Sequence, residues 1–226
     1  MKPEFRRTTD DGFAKFQRFI REHLDCPKVV TEAEVGAFCH IVSALCGAVV
    51  RNFQVLGQAY DAGDQTMMAW SCRNLLELVI FTKFVLTSKA NADEFAADRL
   101  VDVHEIASAF KRMQSELDPN ASDPQMDEVL KTTEAQMKAE GVRLRKPLSI
   151  ANLARLVNDY PEYSNMNKLC SKFVHPTAWN LLTSDEQSTR FPYASDLFFL
   201  FGAKYLFTVF AEVRPHVMKY GLHHKA

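Results

Sequence analysis

The sequence predicts an all-α chain folded as one bundle of about six to eight helices. Three observations carry that expectation. No proline occurs between Pro27 and Pro119, and no glycine between Gly63 and Gly141. A stretch so long without either breaker, and rich in Ala and Leu, is what consecutive helices require. Apolar residues recur at steps of three and four, and no sustained period-two alternation bounded by hairpin turns competes with them.

Taken in order, residues 1–25 suit an amphipathic helix through Phe13, Phe16, Phe19 and Ile20. The first long helix starts at Thr31, where Glu34 stands three residues on as in a capping box. Val35, Cys39, Val42, Cys46, Val49, Phe53, Leu56 and Tyr60 then form one stripe over about seven turns. The stretch from Asp61 to Asp64 ends it, and Asp64 caps a second helix reaching Thr87 or Ser88. That helix is apolar nearly all round, through Met67, Met68, Trp70, Leu75, Leu76, Val79, Ile80, Phe81, Phe84 and Val85, and is the expected centre of the bundle. Asn91 with Glu94 reads as another capping box, opening a helix with Val103, Ile106, Phe110, Met113 and Leu117 on its inner face and charge outside. It stops at Asp118 and Pro119.

Ser122, Pro124 and Gln125 open a polar helix to about Glu140, and Gly141 to Pro147 is an extended basic connector. Helix resumes at Ser149. Pro161 to Val174 forms a further segment that ends at His175, since a residue before proline is pushed out of the helical region. After a loop to Pro192, a Phe-rich helix starts at Asp196, is kinked or ended by Pro215, and has Gly221 as a late cap. With no repeat and no clear linker, residues 1–226 read as one domain: an N-terminal extension or helix over 1–30, a bundle core over 31–221 and a tail over 222–226.

The 226 residues carry a net charge of -1, with 47% apolar and 24% charged residues, so no strong overall field draws the chain to nucleic acid or anionic lipid. Cys26, Cys39, Cys46, Cys72 and Cys170 are odd in number and never spaced Cys-x-x-Cys, which argues against a disulfide framework and a zinc knuckle and for buried thiols in a reducing compartment. The polar start, Met1 to Gly12, lacks the apolar run of a secretory signal, which points to the cytoplasm. The apolar stretches Leu75 to Leu86 and Leu197 to Phe210 contain charges and fall short of the ~20 residues that span a bilayer, so no membrane partner is expected.

Several polar residues sit in apolar settings. Arg73 and Glu77 lie one turn apart in the expected central helix, where an unpaired charge is costly. Either they satisfy each other or polar groups on neighbouring helices, setting register, or Arg73 faces a cavity and offers its planar fork to a phosphate or carboxylate while Glu77 orients it. His175 ends its helix within Ser171-Lys172-Phe173-Val174-His175-Pro176, with Lys168 two turns upstream. It either stabilises the last carbonyls of that helix or acts as a general base, with Lys172 or Arg73 supplying positive charge. Ser171 has nucleophile spacing to His175 but no Gly-x-Ser-x-Gly elbow around it. Asp98, Asp102 and Glu105 read as a solvated acidic face partnered by Arg99. His104 has no second histidine nearby, and neither a metal nor a cofactor is expected. Arg143, Arg145 and Lys146, with Arg155 nearby, form the one compact basic patch. It either contacts a phosphate backbone or is a solvated loop.

The Arg73-Asn74-Leu75-Leu76-Glu77 helix, followed about a hundred residues later by Ser171-Lys172-Phe173-Val174-His175-Pro176, resembles a bacterial family of helical proteins of unassigned function, over residues 30–210. That family is similar to the HEPN superfamily of helical bundles, many of them metal-independent ribonucleases or inactive relatives in toxin, antiphage and stress systems. HEPN ribonucleases carry Arg followed by His after four to six residues; Arg18 with His23 and Arg99 with His104 have that spacing. Five residues along an unbroken helix turn two side chains apart by about 140°, so neither pair converges on one phosphate. At His175 the basic residue seven positions earlier is Lys168 rather than arginine. The resemblance therefore implies one of two functions: a non-catalytic binding or oligomerisation module of a stress or defence system, a homo-oligomer or bound to a protein partner; or a ribonuclease in which His175 takes the proton of a ribose 2′-hydroxyl and Arg73 or Lys172 steadies the phosphate.

Overall fold

The computed structural model describes residues 3–24, 33–118, 123–175, 191 and 193–219. Cys26, Thr31, Ser122, Pro176, Gly221, His223 and His224 lie outside them. Among the described residues there are eight helices and no strand. They divide into two compact units. The first holds α1 (Pro3–His23), α2 (Ala33–Ala62), α3 (Gln65–Thr87), α6 (Ile150–Leu156), α7 (Tyr160–Val174) and α8 (Ala194–Lys219). The second, Ala90–Ser149, holds α5 (Pro124–Ala139) and all but the first residue of α4 (Lys89–Leu117). Both boundaries fall in sequence with no linker composition.

In the first unit α3 lies at the centre, with α2, α6, α7 and α8 packed against it. The cause is its near all-round apolar surface. Met68, Cys72, Leu75, Leu76, Ile80 and Val85 are fully or almost fully buried, each large aliphatic side chain among them worth about 1.5–3 kcal/mol on leaving water. Asp64 caps the helix as its sequence position predicts, its carboxylate accepting the Met67 N–H at 2.9 Å. The turn before it needs Gly63, whose φ of +71° is strained for any residue with a Cβ.

The α2 stripe is as periodic in space as in sequence: Val42, Cys46, Val49, Phe53 and Leu56 are buried. Opposite it, α8 comes unusually near at Gly202, where an added Cβ would meet Cδ2 of Leu56 at 2.1 Å. Helix α1 closes over this pair through rings: Phe13 on Phe53 at 5.0 Å, and Phe16 and Phe19 on Phe210 at 5.4 and 5.2 Å between centroids. Pro215 does not end α8, which continues to Lys219. By length and composition two segments, Ala37–Ala62 and Ala194–Met218, would suffice to cross a membrane. The second is longer than its Leu197 to Phe210 portion suggests, because helix extends on both sides of it; within the unit both line the core against α3.

The second unit departs from the sequence expectation in three places. Helix α4 starts at Lys89, so Asn91 sits inside its first turn rather than at its cap. Helix α5 is capped by Asp123, whose carboxylate accepts the N–H groups of Gln125 and Met126, both at 3.1 Å. The largest correction concerns which face of α4 is buried. Leu100 and Val101 gather with Met137 of α5, and Ala107 is buried too. Val103, Ile106, Phe110, Met113 and Leu117, the expected inner stripe, are exposed by 43, 57, 57, 57 and 85%.

The carboxylates of α4 are corrected as well. Asp98 is not part of a solvated face: it is buried and accepts from Arg145 Nη1 at 2.7 Å and from the Leu148 N–H at 2.9 Å, pinning the connector to α4. Arg99 turns instead to Glu140 at 2.9 Å. Asp102 is held above the usual carboxylate range by its partial burial, then by the neighbouring charges of Asp98 and Glu105. Replacing Asp98 by Ala strands both a guanidinium and a backbone N–H. The Asp98→Ala chain is expected to lose about 2 kcal/mol in urea unfolding, with amide exchange accelerated over residues 142–149 and unchanged in α3.

Candidate functional site

Arg73 and Glu77 lie along the seam between α3 and α7, which run antiparallel. Lys83 near the end of α3 donates to both carboxylate oxygens of Asp159 at the start of α7, at 3.0 and 2.8 Å. Asp159 occupies the N-cap position of α7 but makes no cap bond with its side chain, because Lys83 takes the carboxylate. Asn158, at φ +63°, makes the tight turn that delivers it; asparagine is among the residues that tolerate this conformation.

Midway along the seam, Arg73 Nε donates to Glu77 Oε1 at 3.0 Å, with the two side chains 30 and 23% exposed. Half-buried on the least covered face of α3, they satisfy each other, one of the arrangements their spacing allows. The two terminal nitrogens of Arg73 make no hydrogen bond among the described residues. Tyr163 of α7 stands beside the pair, its phenol pushed up by burial first and by the Glu77 charge second. On the far side Asn74 donates to Asn52 of α2 at 3.3 Å.

Immediately before Arg73 on α3, Cys72 meets Cys170 of α7. Both are free thiols and both are fully buried. The hydrogen bond Cys72 donates to the Cys170 sulfur, and then burial, push the Cys72 thiol well up. The same contact, with the Arg73 charge adding to it, leaves Cys170 the lower of the two. Below them Tyr205 of α8 buries a hydroxyl that makes no well-formed hydrogen bond, and its ionisation is driven up by burial and then by the neighbouring Cys72 and Glu162. Glu162 is engaged by Lys204 at 2.6 and 2.7 Å.

The other candidates lie elsewhere on α7. Cys170 and Tyr163 mark the side of α7 that faces Arg73, and Lys172 is turned about 160° away from Cys170; it is exposed, like Lys168. Ser171 is half-buried, its carbonyl accepting the His175 N–H at 3.1 Å. His175 leaves the helix with extended backbone, φ -91° and ψ 149°, and its side chain is exposed. Arg73 is bonded to Glu77, and its charge acts on Tyr163 and Cys170 of α7; no described contact joins Lys172 to it.

In the second unit Arg143 and Lys146 are exposed, whereas Arg145 is turned inward onto Asp98, with Glu94 at 3.9 Å. Arg155, in the first unit, lies over the Tyr160 ring at 4.0 Å. The Arg99–His104 string is drawn apart by other partners: Arg99 pairs with Glu140, and His104 Nε2 lies 3.4 Å from Glu134. Among the described residues no three His, Cys, Asp or Glu side chains gather as a metal-binding group.

What the sequence reading did not separate is the stripe on α4. Its spacing was visible, but periodicity marks an apolar face without saying whether the same chain covers it. The contact of Cys72 with Cys170 also left no mark, since the two lie about a hundred residues apart. No family model, curated protein or solved structure matches the chain.

Burial makes a chemical prediction about the thiols of α2 and α3. Burial pushes Cys46 up to about 12, and Cys72 is raised as well. At pH 8 in native buffer, mass spectrometry after iodoacetamide treatment is expected to find Cys46 and Cys72 modified at least a hundredfold more slowly than in the urea-unfolded chain, because the thiolate is the reactive form.

Proposed function

We propose that this chain is a non-catalytic helical binding module that engages its partner through α4. The observation that carries the reading is the exposed stripe of Val103, Ile106, Phe110, Met113 and Leu117. Monomeric soluble proteins seldom leave contiguous apolar surface of this kind in water, and where they do it marks an interaction site. The unit that bears it has a thin core, with Leu100, Val101 and Met137 as its buried cluster, so binding there adds to a core that is otherwise small.

The polar residues fit a structural part in this reading. Arg73 is neutralised by Glu77, and a general base needs to stand within hydrogen-bond reach of its proton, beside the positive charge that would steady the phosphate. Lys172 is exposed and turned away from the side of α7 that faces Arg73.

A direct test uses the purified chain and a structured RNA in the presence of a chelator. The expected result is intact RNA with both the parent and a His175→Ala variant, each folded by circular dichroism. RNA cleaved by the parent and spared by His175→Ala would establish catalysis in place of binding.

A further inference from the structure

We propose that Cys72 and Cys170 form a modification site, a dithiol that hydrogen peroxide oxidises in the folded chain to a disulfide between α3 and α7. The site lies apart from the α4 surface and does not depend on what that surface binds.

Four free thiols lie among the described residues, at Cys39, Cys46, Cys72 and Cys170. Cys39 and Cys46 are both on α2, separated by about 10 Å of helix, too far for a bond. Cys72 and Cys170 come from different helices, and one already donates a hydrogen bond to the other. A disulfide needs the sulfurs to close to about 2.0 Å, and a pair in contact starts within reach of that.

The two thiols are unlike. Cys170 accepts the Cys72 hydrogen and feels the Arg73 charge, and both favour its thiolate. That same bond, with burial, holds Cys72 as the thiol. One sulfur is thus suited to attack and the other to resolve, the division that a peroxide-sensing pair requires. Arg73 is partly exposed, so a small neutral oxidant has a short way in beside it. The Tyr205 hydroxyl, buried near both sulfurs without a well-formed hydrogen bond, is a donor for an oxygen placed on Cys170.

The steps balance. The Cys170 thiolate attacks one peroxide oxygen: the S–O bond forms, the O–O bond breaks, and the hydroxide that leaves takes up the proton Cys170 gave up, as water. The Cys72 sulfur then attacks Cys170: the S–S bond forms, the S–O bond breaks, and the departing hydroxide carries off the Cys72 proton as a second water. Two thiols and one peroxide become one disulfide and two waters, with two electrons passing from sulfur to peroxide. The chain leaves the first unit through α3 and returns through α6 and α7, so the bond closes a ring that contains the whole second unit, Ala90–Ser149. Closing a loop of about a hundred residues restricts the unfolded chain strongly.

The experiment treats the folded chain with hydrogen peroxide, blocks the remaining thiols in urea and reads the tryptic peptides by mass spectrometry. Cys72 falls in peptide 52–73 and Cys170 in 169–172, whereas Cys39 and Cys46 share 29–51 and Cys26 lies in 22–28. The expected result is a reducible link between 52–73 and 169–172, formed about tenfold faster than any oxidation of Cys46, and a urea midpoint about 1 M above that of the reduced chain. Cys72→Ala, checked by circular dichroism, is expected to stop at a Cys170 sulfenic acid that dimedone captures, while Cys170→Ala leaves Cys72 a thiol. A folded chain whose Cys72 and Cys170 stay reduced, a disulfide through other peptides, a midpoint that does not rise on oxidation, or equal oxidation of the remaining thiol in the two variants would overturn the inference.

Discussion

A helix without a polar side of its own dictates the first unit. Once α3 is apolar on nearly every face, it forms stably only where other helices remove it from water, and α2, α6, α7 and α8 do so. The polar groups on α3 are then confined to the places where the wrapping is thinnest. Arg73 and Glu77 share one such face and Lys83 lies about a third of a turn round from Glu77, and each finds an opposite charge: Arg73 and Glu77 in one another, Lys83 in Asp159. The ion pairs mark the edge of burial. Removing one partner of such a pair costs more than the pair contributes, so they hold register more than they add stability.

The second unit follows the opposite logic. Two helices and a connector have too little depth to enclose every apolar residue, and α4 carries two apolar faces. Leu100, Val101 and Ala107 turn toward α5, while the row from Val103 to Leu117 is left facing water. The buried carboxylate of Asp98 fixes which face is which, because its bonds to Arg145 and Leu148 bring the connector across that side of α4. A single ionic contact thus decides the orientation of the helix about its own axis.

Much of the first unit was legible in the sequence because its determinants are local. The alternating steps from Val42 to Leu56, the cap at Asp64 and the break at Gly63 each follow from residues within a turn or two of one another. The stripe on α4 was equally visible and yet misassigned. Amphipathic spacing locates an apolar face; whether that face meets the same chain depends on Asp98 and Arg145, which lie 47 residues apart. The candidate site was half legible for the same reason. The pairing of Arg73 with Glu77 is a single helical turn, whereas the meeting of Cys72 with Cys170, or the outward turn of Lys172, depends on how α7 is rotated against α3, which no local pattern encodes.

The contact at Gly202 carries an implication for sequence variation. Leu56 fills the space that a side chain at position 202 would need, and both positions lie where the core is packed to the density of an organic crystal. The volume they share is therefore a property of the pair. In descendants of this chain a larger residue at 202 is tolerated only alongside a smaller one at 56, and these two sites, 146 positions apart, should drift together.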